Sequence, residues 1–234
     1  MKNIFIANWK MNPESLSKAL RLAKSSDKKN VVLCPPFIYL NEIKKNLKNA
    51  KLGAQDIFWE KEGAFTGEIS SLMIKNIGCS YVIIGHSERR NILNESDKNI
   101  NDKIKITIKN KLKPIVCVGE TKKERESGIF EKVIKNQLKL ALRNIDVKEI
   151  IIAYEPIWAI GTKNACDFKK AEEVRVFIKK TVKEILKIDS VLIMYGGSVN
   201  SQNYIDYIKK ASFNGLLIGG ASLKEGEIKK IIKD

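Results

Sequence analysis

Lys10, His86 and Glu155 each stand at the end of a separate apolar run, and together they offer an ammonium, an imidazole and a carboxylate. His86 is the one histidine in 234 residues, so any imidazole chemistry here is its own. Its side chain type titrates near neutral pH. It sits where the run 81–85 gives way to Ser87, Glu88, Arg89 and Arg90. Lys10 follows Asn8 and Trp9, where it would fix a cation beside an oxygen that becomes negative. Glu155 follows the run 150–154 and precedes Pro156. This trio suits proton abstraction next to a carbonyl: a carboxylate takes a carbon-bound proton while donors hold the charge that appears on oxygen. Such chemistry needs no metal and no redox cofactor, and none is expected. The plain alternatives are a core histidine with satisfied nitrogens and a salt-bridged Glu155.

Two later segments add anion-binding character. Tyr195, Gly196, Gly197, Ser198, Val199 and Asn200 follow one apolar run, and Gly219, Gly220, Ala221, Ser222 and Leu223 follow the next. Each is expected to open a helix, where glycines let backbone N–H groups approach an anion and the helix dipole favours negative charge. After Pro156 an apolar stretch ends in Gly161, which reads as a lid between hinges.

The elements that must position these groups recur eight times. Short β-rich apolar runs occupy residues 4–7, 31–34, 52–55, 81–85, 115–118, 150–154, 191–195 and 216–218, each followed by a helix-like segment. Across 168–186, Val174, Phe177, Ile178, Val182, Ile185 and Leu186 form one apolar stripe at helical spacing. Phe130, Val133, Ile134, Leu138, Leu142 and Ile145 repeat it earlier. Apolar strands alternating with amphipathic helices imply a parallel sheet buried on both faces. Eight units predict a closed (β/α)8 barrel, a single α/β catalytic domain over residues 1–234, with the polar loops after the strands gathered at one mouth. An open doubly wound sheet is the alternative from periodicity alone. In a barrel, the loops after strands seven and eight are a common phosphate site.

A formal charge of +16 raises nucleic-acid binding as an alternative. The lysines, however, are scattered singly or in pairs (Lys44 and Lys45, Lys179 and Lys180, Lys209 and Lys210, Lys229 and Lys230) without interleaved aromatics, the pattern of solvated helix faces. A positive field would also steer an anionic substrate. Cys34, Cys79, Cys117 and Cys166 form no CxxC pair, so free thiols in a reducing cytoplasm are expected. The few apolar residues before Asn8 read as too short for a signal peptide, and no 18-residue apolar stretch occurs, so no membrane partner is expected.

The motifs NWKMN at 8–12, GAFTGEIS at 63–70, IGHSERR at 84–90, CVGET at 117–121, AYEPIWAIGT at 153–162, YGGSVN at 195–200 and LLIGGASL at 216–223 stand in the order found in the triosephosphate isomerase family, which the chain closely resembles. That resemblance implies that Glu155 shuttles a proton between two carbons of dihydroxyacetone phosphate and glyceraldehyde 3-phosphate. It makes His86 a neutral electrophile and Lys10 the cation that stabilises the enediolate, with Asn8 hydrogen-bonding beside it and Glu88 pairing with the lysine. Backbone groups of Gly161, Ser198, Gly219 and Gly220 would hold the phosphate, and the lid would exclude water. The resemblance also implies a homodimer, in which Thr66 at the tip of the loop after strand three reaches into the partner's site. Phe65 beside it would be unusually exposed in a monomer.

The chain departs from the family pattern at the far hinge of the lid, where it carries Lys163, Asn164, Ala165 and Cys166. Asn214 replaces a common aspartate, and the chain is shortened chiefly between Asn12 and Cys34. The competing chemical reading is a Schiff-base aldolase on the same fold, with Lys10 as nucleophile.

Overall fold

The computed structural model describes residues 3–162 and 164–233. Lys163, one of the departures at the lid hinge, lies outside the described residues. Strands β1 (Ile4–Asn8), β2 (Val31–Cys34), β3 (Lys51–Ala54), β4 (Tyr81–Ile84), β5 (Lys113–Val118), β6 (Glu149–Tyr154), β7 (Ser190–Tyr195) and β8 (Gly215–Ile218) pair in chain order and close into a barrel. The closing ladder is parallel and sets Ile4 opposite Gly215 and Ala7 opposite Ile218. The expected (β/α)8 barrel is therefore present, and the open doubly wound sheet is excluded.

Alternation along each strand separates two cores. Ile6, Ile83, Ile115, Cys117, Ile151, Ala153, Leu192, Met194 and Leu217 pack together as one group. Their neighbours, such as Phe5, Ala7, Val82, Ile84, Val116 and Ile152, belong to a second, larger group shared with the helices. A period of two puts successive side chains on opposite faces of a strand, so the first group fills the barrel and the second lies outside it. Asn8 continues the inward register of Ile6, and Glu155 that of Ile151 and Ala153. That parity aims both polar groups at the mouth.

The surrounding helices are α1 (Leu16–Ser25), α2 (Leu40–Asn46), α3 (Ser71–Ile77), α4 (Ser87–Ile92), α5 (Asp97–Lys109), α6 (Lys122–Glu126), α7 (Phe130–Ala141), α8 (Phe168–Leu186) and α9 (Glu225–Ile231). Helix α8 spans the predicted stripe and is capped by Asp167, whose carboxylate accepts from the Lys169 and Lys170 amides. Helix α7 stops at Ala141, short of the expected Leu142 and Ile145, although Leu142 is still buried. The segment after β7 does not open directly into a helix as expected. Asn200 instead starts a turn by accepting from the Gln202 and Asn203 amides, and a π-helical turn follows at Asp206–Lys210. After β8 the chain forms a 3-10 turn at Gly220–Leu223 before α9.

A buried ion cluster roots the long loop that follows β3. Lys103 on α5 bonds both Asp56, at 2.7 and 2.8 Å, and Glu95, while Arg89 on α4 lies 2.8 Å from Asp56. Burial raises the Asp56 carboxyl to about 6 despite the neighbouring cations. Removing any one partner would leave a charge uncompensated in a dry site, so the loop base is held as a unit. The four cysteines are all buried and free. Among the described residues, no helix is long and apolar enough to cross a membrane.

Candidate active site

Lys10, His86 and Glu155 converge at the carboxyl ends of β1, β4 and β6. They line one cavity of about 390 Å³ together with Asn8, Gly161, Ser198, Gly219 and Gly220. The structure thus joins every predicted catalytic and phosphate-holding residue at a single mouth. Glu88 touches the same groups from α4. Thr66 does not reach this cavity; it is exposed on the loop after β3.

Lys10 sits just past β1 with φ of 54°, a left-handed backbone that non-glycine residues seldom adopt. The strained turn is fastened from both sides. Its N–H donates to the Asn8 side chain at 3.0 Å, and its carbonyl accepts from Gln55 Nε2 at 2.8 Å. Gln55 donates equally to the Cys34 carbonyl at 2.9 Å, so it ties β1, β2 and β3 together under the lysine. Lys10 Nζ donates to Glu88 Oε1 at 2.6 Å, a charge-assisted bond that points the ammonium along the cavity wall.

His86 caps α4. Its Nδ1 accepts from the Glu88 amide at 3.2 Å, which places the ring proton on Nε2, and Nε2 faces Glu155 Oε1 at 3.0 Å. Burial pushes the ring toward its neutral form, but Glu155, aided by Glu88, outweighs burial and raises the pKa above the ordinary histidine value. The neutral imidazole implied by resemblance is therefore opposed by the facing carboxylate. It is favoured by the amide at Nδ1, because a second proton would have to take that nitrogen.

Glu155 is 2% exposed. Desolvation alone would raise its carboxyl, yet His86, the Ser87 amide and Lys10 together hold it below the usual range, so it is a carboxylate. Its Oε2 accepts from the Ser87 N–H at 3.0 Å. The strand end that carries it is pressed against β5: the Glu155 amide donates to the Val118 carbonyl at 2.8 Å, and a Cβ at Gly119 would fall 1.8 Å from the Glu155 carbonyl oxygen. Only glycine permits that approach.

At the rim, the Ser198 hydroxyl donates to the Ala159 carbonyl at 2.6 Å, so this side chain grips the segment 156–166, while the Ser198 carbonyl accepts from Asn203 Nδ2 at 3.0 Å. Trp158 Nε1 donates to the buried Glu120 at 2.9 Å. Sequence reasoning missed Gln55, Ser87, Gly119 and Glu120. Ser87 and Gly119 lie inside recognised motifs, and that was the available signal. Glu120 shares the motif of Gly119, whereas nothing in one-dimensional spacing marks Gln55, whose partners are distant in sequence. Asn214, the other departure, lies away from the cavity and accepts from the Ile193 amide at 2.9 Å.

Residues 3–234 match the family model described as triosephosphate isomerase. Similar proteins called triosephosphate isomerase include that of Dictyoglomus thermophilum, 45% identical with 99% of each chain covered. That of Aquifex aeolicus is 43% identical with the same coverage, and that of Alkaliphilus metalliredigens is 45% identical over 95% of each chain. These matches leave the Schiff-base aldolase and nucleic-acid readings without support. With the barrel, the converging trio and full-length likeness in agreement, the chain belongs to the triosephosphate isomerase family.

Proposed function

We propose that this chain interconverts dihydroxyacetone phosphate and glyceraldehyde 3-phosphate with Glu155 as the proton-transferring base. The observation that carries the reading is the meeting of Glu155, His86 and Lys10 in one cavity that Gly161, Ser198, Gly219 and Gly220 also line. As an aldose–ketose isomerase it serves glycolysis and gluconeogenesis. Glu155 removes a proton from the carbon beside the carbonyl, and the freed electron pair forms the enediolate double bond while charge moves to oxygen. His86 Nε2–H and the Lys10 ammonium donate to that oxygen. Each such donor is worth about 3 kcal/mol in a water-excluded site. The hydroxyl proton passes from one enediolate oxygen to the other by way of His86, so that the oxygen that loses it becomes the new carbonyl while the same carboxylic acid returns a proton to the neighbouring carbon. Asn8 supports the Lys10 turn, and Glu88 orients its ammonium. Backbone N–H groups along Gly161, Ser198, Gly219 and Gly220 meet the phosphate, and the lid 156–166 closes over the intermediate.

The full 1–234 chain acts as one catalytic domain in the cytoplasm, and it works as a homodimer. Met11, Ile38, Phe65, Met73, Ile92 and Leu93 are exposed apolar side chains, all in segments that follow the four adjacent strands β1 to β4. Ile129, Leu140 and Val176 are exposed elsewhere, but the concentration after β1 to β4 fits a self-complementary interface, with Thr66 extended toward the partner's cavity. A coupled assay with purified protein tests the activity. Rapid interconversion of the two triose phosphates that is lost in Glu155→Gln supports the reading; an inactive, folded wild type overturns it.

A further inference from the structure

The lid ends at a residue that is held on both sides. Cys166, 1% exposed, precedes Asp167, the cap of α8. Its N–H donates to the Tyr195 hydroxyl at 3.2 Å, and its carbonyl accepts from the Tyr207 hydroxyl at 2.5 Å. Both backbone polar groups of one residue are thus taken by two phenols. The two rings stack, with centroids 3.7 Å apart and planes 12° from parallel, and Phe213 packs its edge against each. Tyr207 belongs to the π-helical turn 206–210, and Lys210 of that turn lies over the ring of Phe168, the first residue of α8.

The Tyr195 hydroxyl also sits between the two ends of the lid. A Cβ at Gly197 would fall 2.3 Å from it and 3.2 Å from the Pro156 ring. The grip at the other end differs in kind. The Ala159 carbonyl is held by the Ser198 and Thr162 hydroxyls, both part-exposed, while its own residue lies in a short 3-10 turn. Bonds of that sort exchange readily with water or a ligand. The Cys166 pair is buried, and breaking it would strand polar groups in an aromatic core.

We propose that Tyr207 is a positioning residue for the isomerisation: with Tyr195 it pins the N–H and carbonyl of Cys166 and so sets the point at which lid motion stops. The inference rests on the reading of residues 156–166 as a lid. A pinned terminus keeps the Gly161 amide in register with the phosphate cradle. A slack one lets the enediolate break its C–O bond to phosphate. The bonding pair then leaves on phosphate, and the remaining enol tautomerises to a three-carbon dicarbonyl.

The experiment is Tyr207→Phe, which removes the hydroxyl and keeps the stacked ring. Two quantities are read: amide hydrogen exchange at Cys166 and Asp167 without substrate, and inorganic phosphate released per isomerisation. The clamp predicts exchange faster by about tenfold, as loss of one buried hydrogen bond implies, and a severalfold rise in phosphate release. Phe213→Leu, which loosens the same aromatic packing but leaves both hydroxyls, lowers Tm and leaves the release ratio unchanged. Tyr195→Phe raises both quantities, and the double variant raises them by less than the product of the single effects, because one residue is being freed twice. Unchanged exchange and an unchanged ratio in Tyr207→Phe overturn the inference, as does a double variant equal to the product. Loss of Tm alone does the same. An inactive wild type would instead strike the proposed reaction, and the exchange measurement would still decide the clamp.

Discussion

Glu155 Oε1 stands 3.0 Å from His86 Nε2, so the proposed base and the proposed electrophile satisfy each other until a substrate enters. With the Ser87 amide on Oε2, both carboxylate oxygens are engaged. Substrate must therefore draw Glu155 away from two donors, freeing Nε2–H for the carbonyl oxygen in the same movement. One displacement prepares both catalytic groups.

This pairing has a signed pH signature. The raised His86 pKa means that its share of stability is present below the ordinary histidine value, near ~6.5, and is lost as pH rises through the raised pKa. The lowered Glu155 pKa means that its share is present above the ordinary carboxyl value and is lost as pH falls through the lowered one. Their joint contribution peaks between these limits. Glu155→Gln removes the carboxylate and leaves burial in control, so the His86 NMR midpoint is expected to fall below that of the wild type. An equal or higher midpoint would show that Glu155 does not govern the ring. The single histidine makes the assignment unambiguous.

Gly119→Ala tests the packing beneath the base. The added methyl meets the Glu155 carbonyl at 1.8 Å, backbone that cannot rotate away, so β6 must shift at its end. A displacement of about 1 Å at a catalytic group costs roughly 10²-fold in kcat, and overpacking of this kind costs about 1–3 kcal/mol of stability. Gly226→Ala on α9, where a Cβ meets open space, is expected to change neither. Steady-state kinetics and denaturant titration of the two variants read the contrast.

The apolar face predicts assembly. Sedimentation at micromolar concentration should give twice the chain mass of 26.5 kDa. Phe65→Asp combined with Thr66→Asp places two charges on the loop that would meet the partner, and should yield monomers with greatly reduced turnover. A fully active wild-type monomer would contradict the homodimer.

The barrel was legible because each strand is buried on both faces and so reads as an unbroken apolar run, most plainly in Ile150, Ile151, Ile152, Ala153 and Tyr154. The long stripe of α8 was equally clear. Boundaries slipped where a side chain leaves the ladder to bond elsewhere. Gln55, read as the end of β3, turns out of the strand to hold the Lys10 and Cys34 carbonyls. The expected helix after β7 gave way to turns because Asn200 satisfies local amides with its own side chain. The trio that converges on the cavity was visible through residue type and position at strand ends. Supporting groups such as Glu120, Gly119 and Tyr207 act through partners 34 to 41 positions away, and no local pattern encodes that closeness.

The most direct measurement is isomerisation in D2O with NMR of the product. If Glu155 carries the proton as a carboxylic acid open to exchange with solvent, product from the wild type holds deuterium on the carbon that received it, and Glu155→Gln yields almost no product. Product that keeps its original hydrogen throughout, together with full turnover by Glu155→Gln, would reveal direct hydride migration between the carbons and contradict a carboxylate base.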